Sequence, residues 1–185
     1  MQDNRSPVTK VLLFSGKAKH GKTACGEIVK KKLEEKGKRV LIINYADYLK
    51  FIAKEYYGWD GNKDDNGRTL LQRLGTDKIR AKYPDFWVDT VINLIEIIKD
   101  DFDVICICDV RFPNEIMQMA VNKNFETISI NVERENFDNG LTKEQQCHPS
   151  ETSLRYWIFD WYISSESGLD KLEKEVDKMI KYYYL

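Results

Sequence analysis

One stretch decides what this chain can fold into: Phe14-Ser15-Gly16-Lys17-Ala18-Lys19-His20-Gly21-Lys22-Thr23. It holds the spacing Gly-x-x-x-x-Gly-Lys-Thr, in which the backbone curls until its N–H groups converge on an anion. Glycine is needed there because a Cβ would block the approach. Before it, Val11-Leu12-Leu13-Phe14 reads as a buried strand. After it, Ala24, Ile28, Val29 and Leu33 mark one side of a helix over residues 22–36, with Gly37 ending it. Strand, glycine-rich turn, helix is the arrangement that aims the positive end of a helix at phosphate. In it Lys22 reaches the β- and γ-phosphates of a nucleoside triphosphate and the Thr23 hydroxyl sits on Mg²⁺. Gly16, Lys19, Gly21 and Ala24 join them as candidate contacts of that nucleotide.

The rest of the chain extends this unit. Arg39 to Asn44, with Val40-Leu41-Ile42-Ile43 inside, reads as a second strand, apolar throughout as in a sheet covered on both faces. Strand, loop, helix, strand in this order begins a parallel sheet. Tyr45 and Asp47 follow its carboxyl end, where ligands of open α/β sheets gather. Asp47 reads equally well as the cap of a helix over Tyr48 to Tyr57. The polar, glycine-rich run 58–67 reads as a mobile loop. Leu70, Leu71 and Leu74 then fall at helical spacing within 68–80, a helix that Gly75 interrupts. On an unbroken helix Arg73 and Arg80, seven apart, share a face. With Arg68 they offer guanidinium forks for phosphate, or else a solvated charge stripe. Val88, Val91, Ile92, Ile95 and Ile98 form the buried side of the next helix, opened by Pro84. Trp87 stands where it would stack on a nucleobase or anchor the core.

Asp103 to Asp109 reads as a third strand closing on a carboxylate, the form in which the Asp supports Mg²⁺. Arg111 comes two residues later, on the ligand side. Phe125 to Val132 alternates and reads as a fourth strand. Residues 133–147 are polar and form a lid or a solvated connection. His148-Pro149-Ser150-Glu151-Thr152 opens a short helix with Ser150 as its cap, and His148 reads as structural. Trp157 to Ile163 gives a last strand. Leu169, Leu172, Val176, Met179, Ile180 and Tyr183 stripe a closing helix.

The predicted fold is therefore α/β: a P-loop NTPase three-layer α/β/α sandwich with a five-stranded mostly parallel sheet and a short lid. It is expected as a single domain over 1–185, with a helical nucleotide-binding region at about 47–100 and the lid at about 133–150. The net charge of −1 provides no basic field to hold nucleic acid. No run of 18 apolar residues is present, so no membrane span is expected. The first seven residues have no apolar signal-peptide core. Cys25, Cys106, Cys108 and Cys147 are unevenly scattered and read as reduced thiols, which fits a cytoplasmic protein.

Several motifs then coincide in order. They are Gly16-x-x-x-x-Gly21-Lys22-Thr23, Leu71-Gln72-x-Leu74-Gly75-Thr76-Asp77, Phe86-Trp87-Val88, Asp109-x-Arg111-x-x-x-Glu115 and His148-x-Ser150-Glu151. Ser164-Ser165-Glu166-Ser167-Gly168-Leu169 leads into the closing helix. The set resembles the phage-type deoxynucleoside monophosphate kinases, P-loop relatives of adenylate kinase, over nearly the whole chain. The resemblance implies transfer of the ATP γ-phosphoryl group to a deoxynucleoside monophosphate, with Mg²⁺. It implies that Lys22 and Thr23 hold ATP phosphates and metal, that Asp109 lies in the Mg²⁺ zone, and that Arg111 faces the acceptor phosphate. Gln72 and Trp87 fall on the acceptor side, and Glu151 follows the lid. Two departures stand out. The insertion that some members carry between the second strand and the Leu-Gln segment is nearly absent. Between Val132 and His148 the chain has one arginine, Arg134, where adenylate-kinase relatives usually supply several.

The expected activity is thus that of a nucleoside monophosphate kinase, with Lys22, Asp109 and Arg111 as its catalytic residues. Arg134 is assigned to ATP, and Asp47, Arg68, Gln72, Arg73, Arg80, Trp87, Arg111 and Glu151 to the acceptor. A P-loop kinase for phosphomevalonate or dephospho-coenzyme A is an alternative. So is a nucleotide-binding switch or ATPase, although Arg73, Arg80 and Arg111 have no job in a bare switch. Expected partners are small nucleotides, not nucleic acid or membrane. The base, the sugar, and whether the chain forms a homodimer stay open.

Overall fold

The computed structural model describes residues 8–165 and 168–185. The first seven residues, and Glu166 and Ser167 of the run before the closing helix, lie outside the described residues. Five strands form one sheet: β1 (Lys10–Ser15), β2 (Val40–Ile43), β3 (Val104–Val110), β4 (Glu126–Arg134) and β5 (Trp161–Ser165). Their order is β2-β3-β1-β4-β5. Every pair is parallel, β4 and β5 included, so the sheet is wholly rather than mostly parallel.

The strand at the centre, β1, is buried along all but its first residue. Leu12 and Phe14 of β1 face one side, with Cys106 and Cys108 of β3 and Ile128, Ile130 and Val132 of β4. That side is covered by α1 (Lys22–Glu34) and by α8 (Leu169–Tyr182), which brings Leu172, Val176, Met179 and Ile180. Val11, Leu13, Ile105 and Ile107 face the other side, under α2 (Ala46–Tyr57), α4 (Phe86–Ile98) and α5 (Pro113–Val121). These are the three layers expected, each sheet face buried by helices as a parallel sheet requires. Among the described residues no helix is long and apolar enough to cross a membrane, and all four cysteines are free.

Two departures from regular geometry shape the ligand side. The register of β1 on β3 slips between Leu13–Ile107 and Ser15–Val110, so β3 carries one more residue than β1 there. The slip re-aims the residues that follow it. Val110 then packs on the face of Ile105 and Ile107 instead of the opposite one. The second departure follows α3 (Asp65–Gln72). Gly75 does not break the helix. The chain runs on as a π-helix over Arg73–Arg80, with the Ala81 N–H reaching back five residues to the Thr76 carbonyl. Gly75 lies buried beside Leu49, and its carbonyl accepts the Trp87 indole N–H at 3.0 Å. The wider turn alters the angular step, so Arg73 and Arg80 no longer share a face.

Smaller differences have local causes. Asp64 caps α3 by accepting from the Gly67 N–H at 2.7 Å, so the loop after α2 is shorter than 58–67. The helix after β2 starts at Ala46, ahead of Asp47. β4 continues to Arg134, and the last strand starts at Trp161 rather than Trp157. In α7 (Pro149–Thr152) the cap is His148, whose Nδ1 accepts from the Ser150 N–H at 3.2 Å; Ser150 is its donor and not the cap. The polar segment after β4 also contains a short helix, α6 (Lys143–Cys147).

The backbone of α1 passes so close to β3 that a Cβ on Gly26 would collide with the Cys108 sulfur. Gly26→Ala should therefore destabilise the fold by about 1–3 kcal/mol, the usual cost of overpacking, despite the better helix propensity of alanine. Urea unfolding of Gly26→Ala checks this. Adding Cys108→Ala, which deletes the colliding sulfur, should recover part of the loss.

Candidate functional site

At the end of β1 the chain must turn against β4. A Cβ on Gly16 would meet the Val132 carbonyl, and Gly16 has φ 140°, so glycine is required twice over. The loop then runs through Lys19 at φ 63° to Gly21, which caps α1 in a left-handed conformation. Lys22 is buried, and its ammonium donates to the carbonyls of Gly16 and Lys17, both at 2.8 Å. Burial pushes that ammonium from 10.5 down to about 7, and the neighbouring Arg111 pushes in the same direction. Glu151 and Asp109 pull it back. Thr23 is exposed in the first turn of α1, while Ala24 packs against the core and Lys19 is exposed at the loop tip.

Arg111 is the meeting point of the site. Its Nη1 donates to Gly16 O at 3.1 Å and to Ser150 O at 3.3 Å. The same nitrogen lies 2.9 Å from Glu151 Oε1 in a mostly buried ion pair. The other Glu151 oxygen accepts the Ala18 N–H of the loop at 3.0 Å. A carboxylate from α7 thus occupies a backbone donor of the glycine-rich loop and the adjacent guanidinium together.

His20, also in the loop, is buried and accepts the Arg134 N–H on Nδ1 at 3.0 Å. Burial, then Lys22 and Lys17, hold the imidazole below its ordinary 6.5. Its ring meets the edge of Phe137, and the Arg134 guanidinium lies 3.8 Å from the centre of that Phe137 ring. From this point a cavity of about 940 Å³ opens. Gly16, Lys17, His20, Arg111, Glu151 and Arg134 line it on the loop side, with Asn131, Arg155, Trp157, Phe159 and Tyr162. It lies against the end of β4, where Asn131 and Glu133 alternate with the buried Ile130 and Val132.

Several predicted site residues have partners within the protein. Asp109 accepts the N–H groups of Tyr45 and Ala46 at 2.9 and 3.0 Å, so its two oxygens cap α2. Burial raises its carboxyl, against the pull of those two bonds. Asp47 accepts from the Asn44 N–H at 2.9 Å and pairs with Lys50 at 2.7 Å, which is the capping role. Trp87 is 3% exposed and bonded to Gly75, a core anchor with no face open to a nucleobase. Arg80 forms a buried pair with Glu115 at 2.6 Å. Gln72 is half-buried at the end of α3, and Arg73 is exposed.

Arg68 keeps different company, together with residues that sequence reasoning passed over. Partial desolvation, then Lys50 and Arg68, lower the Lys63 ammonium, while Asp109 raises it. Lys63, Lys50 and Arg68 thus form a second group of cations near Asp109 and Arg111. Lys63 falls in a run legible only as a loop. Arg155 falls just beyond the lid window and lines the same cavity as Arg134. His20 carries no signal beyond its place between the glycines.

No protein-family model matches the chain, and no curated protein matches it. Solved structures do. An APS kinase from Mycobacterium tuberculosis, in complex with AMPPNP and APS, aligns with a TM-score of 0.54 at 12% identity, over 95% of this chain and 99% of that one. A hexameric APS kinase from Thiobacillus denitrificans aligns with a TM-score of 0.54 at 10% identity, over 98% of this chain and 31% of that one. At such identities the likeness is one of fold, and the fold is that of the P-loop NTPases.

The depressed Lys22 ammonium makes anion binding proton-linked. Between about 7 and 10.5 the buried amine has lost its proton, and an adjacent anion favours the charged form again. Binding of inorganic tripolyphosphate at pH 8 should therefore take up as much as about one proton per chain at Lys22. Calorimetry in two buffers of different ionisation enthalpy measures the uptake, and Lys22→Met should abolish it.

Proposed function

We propose that the chain is an ATP-dependent kinase that moves the γ-phosphoryl group onto the phosphate of a nucleoside or deoxynucleoside monophosphate. The observation that carries this reading is the condition of the carboxylates around the loop. A hydroxyl acceptor must surrender a proton to a base within hydrogen-bond reach. Here Asp109 caps α2, Asp47 is held by Lys50 and Asn44, Glu115 by Arg80, and Glu151 by Arg111 and the Ala18 N–H. None of these four stands free as a base while Glu151 is held by Arg111, although Glu133 and Asp138 also line the cavity. A phosphate acceptor has no such need, because its oxygens are ionised near neutral pH.

What phosphoryl transfer asks of a protein is alignment and charge neutralisation. Lys22 and the loop N–H groups hold the donor phosphates. Arg111, between the loop and the cavity, faces the acceptor phosphate, for which Glu151 gives it up. Trp157, Phe159 and Tyr162 offer aromatic faces to a base, and Arg134 and Arg155 add charge along the same wall. The segment from Glu135 to Trp157 screens the reacting phosphates from water.

The donor set at the loop suits Mg²⁺, a hard cation that keeps several waters. The exposed Thr23 hydroxyl would hold it, with the Asp109 carboxylate nearby. When bound, the ion neutralises charge on the β- and γ-phosphates.

The APS kinase neighbours favour a second reading, a kinase for a different nucleotide-like acceptor. One assay separates the two. ADP release should be stimulated by at least one nucleoside monophosphate and not by APS, phosphomevalonate or dephospho-coenzyme A. Lys22→Ala should cut that rate by about 10²–10³-fold with its thermal midpoint unchanged. Stimulation by APS alone would decide for the second reading, and ADP release indifferent to every acceptor would sink both.

A further inference from the structure

We propose that the buried Arg80–Glu115 pair is a positioning device for Arg111. This goes beyond the kinase reading and rests on Arg111 being a phosphate-facing cation. Glu115 is 1% exposed and sits in the first turn of α5, four residues after Arg111. Its Oε2 accepts two consecutive backbone N–H groups, Arg111 at 2.7 Å and Phe112 at 3.0 Å. Its Oε1 accepts Arg80 Nη2 at 2.6 Å. The carboxylate therefore grips the backbone of Arg111 from one side while a guanidinium grips the carboxylate from the other.

Arg80 is itself fully engaged. Its Nη1 donates to Asn114 Oδ1 at 3.1 Å and to Pro84 O at 3.2 Å, and its guanidinium lies 3.9 Å from the centre of the Phe112 ring. The turn after β3 is thus held by a bond, an ion pair and a ring contact that all end on the π-helical segment. Irregular turns of this kind recur at functional sites. Here the π-helix has a definable effect: it rotates Arg80 away from the exposed side of Arg73 and onto Glu115. On the other side of Arg111, Asp109 is anchored to the start of α2. With the residues before and after it fixed, Arg111 has little freedom except along its side chain. That side chain ends on Gly16, Ser150 and Glu151.

A carboxylate holding the turn for stability alone predicts that its loss acts independently of Arg111. A positioning carboxylate predicts that its loss acts through Arg111. A double-mutant cycle separates the two. The probe is inorganic tripolyphosphate, long enough to reach both Lys22 and Arg111, which share Gly16 O, and its affinity is read by calorimetry without any acceptor. Arg111→Ala should weaken its binding by about tenfold, the worth of one charge-assisted bond. Glu115→Gln should weaken it several-fold in the parent and leave it unchanged in the Arg111→Ala background.

Because Glu115→Gln leaves Arg80 buried without its partner, the cycle is repeated with Arg80→Met plus Glu115→Met, which removes both charges together. Equal losses with and without Arg111 would overturn the positioning role while leaving the kinase reading intact. No loss from Arg111→Ala itself would overturn the phosphate-facing reading of Arg111, and the positioning role with it.

Discussion

The guanidinium of Arg111 is the constraint around which the ligand side of this molecule is arranged. It stands at the end of β3, beside β1, and its Nη1 alone is shared by the carbonyls of Gly16 and Ser150 and the carboxylate of Glu151. Those three partners come from the glycine-rich loop and from α7, segments far apart in sequence. Such sharing requires that the backbone under Arg111 be set to within a few tenths of an ångström. The surrounding structure supplies that through Asp109 on α2 and Glu115 on Arg80. A buried ion pair adds little net stability compared with apolar packing of the same volume, yet losing one partner costs about 3–5 kcal/mol. The Arg80–Glu115 pair is thus better understood as specifying geometry than as supplying stability.

Much of the fold was legible because its signals are local. Val11 to Phe14, Val40 to Ile43 and Val104 to Cys108 are short apolar runs, and in a parallel sheet buried on both faces such runs are strands. The loop was legible for the same reason, since its glycines and Lys22 act within a few residues of each other. What stayed hidden depends on distance or on small changes of angle. Arg80 meets Glu115 across 35 residues of sequence, and no spacing rule connects them. The π-helix of Arg73–Arg80 has no compositional sign, so a rule valid for an α-helix put two arginines on one face that the real turn separates. Trp87 could be weighed but not decided from sequence, since a core tryptophan and a stacking one share the same periodicity.

The strand that borders the cavity was legible in the sequence; the cavity itself was not. β4 alternates Ile128, Ile130 and Val132 with Ser129, Asn131 and Glu133. Beside β1, β2 and β3, whose residues are largely apolar on both faces, Asn131 and Glu133 give the end of β4 a polar face that lines the cavity. The cavity lies between β4 and the segment from Asn136 to Trp157. The alternation identified the strand; its further meaning depends on knowing that the neighbouring strands are parallel and covered.

The electrostatics of the loop side follow from crowding like charges in a poorly solvated place. Lys22 and Arg111 raise each other's cost, and Lys22 responds with a lowered proton affinity. The chain offsets this with its own acceptors: two carbonyls for Lys22, and for Arg111 two carbonyls and the carboxylate of Glu151. A phosphate dianion is a stronger acceptor than a carbonyl and carries more charge than a carboxylate. A phosphate dianion therefore competes with the internal partners for Arg111 better than another single carboxylate would. Under the kinase reading, Glu151 is thus more than a contact. By holding the place of the acceptor phosphate it sets the least charge an acceptor must carry to enter, and it ties that entry to release of α7 from the loop.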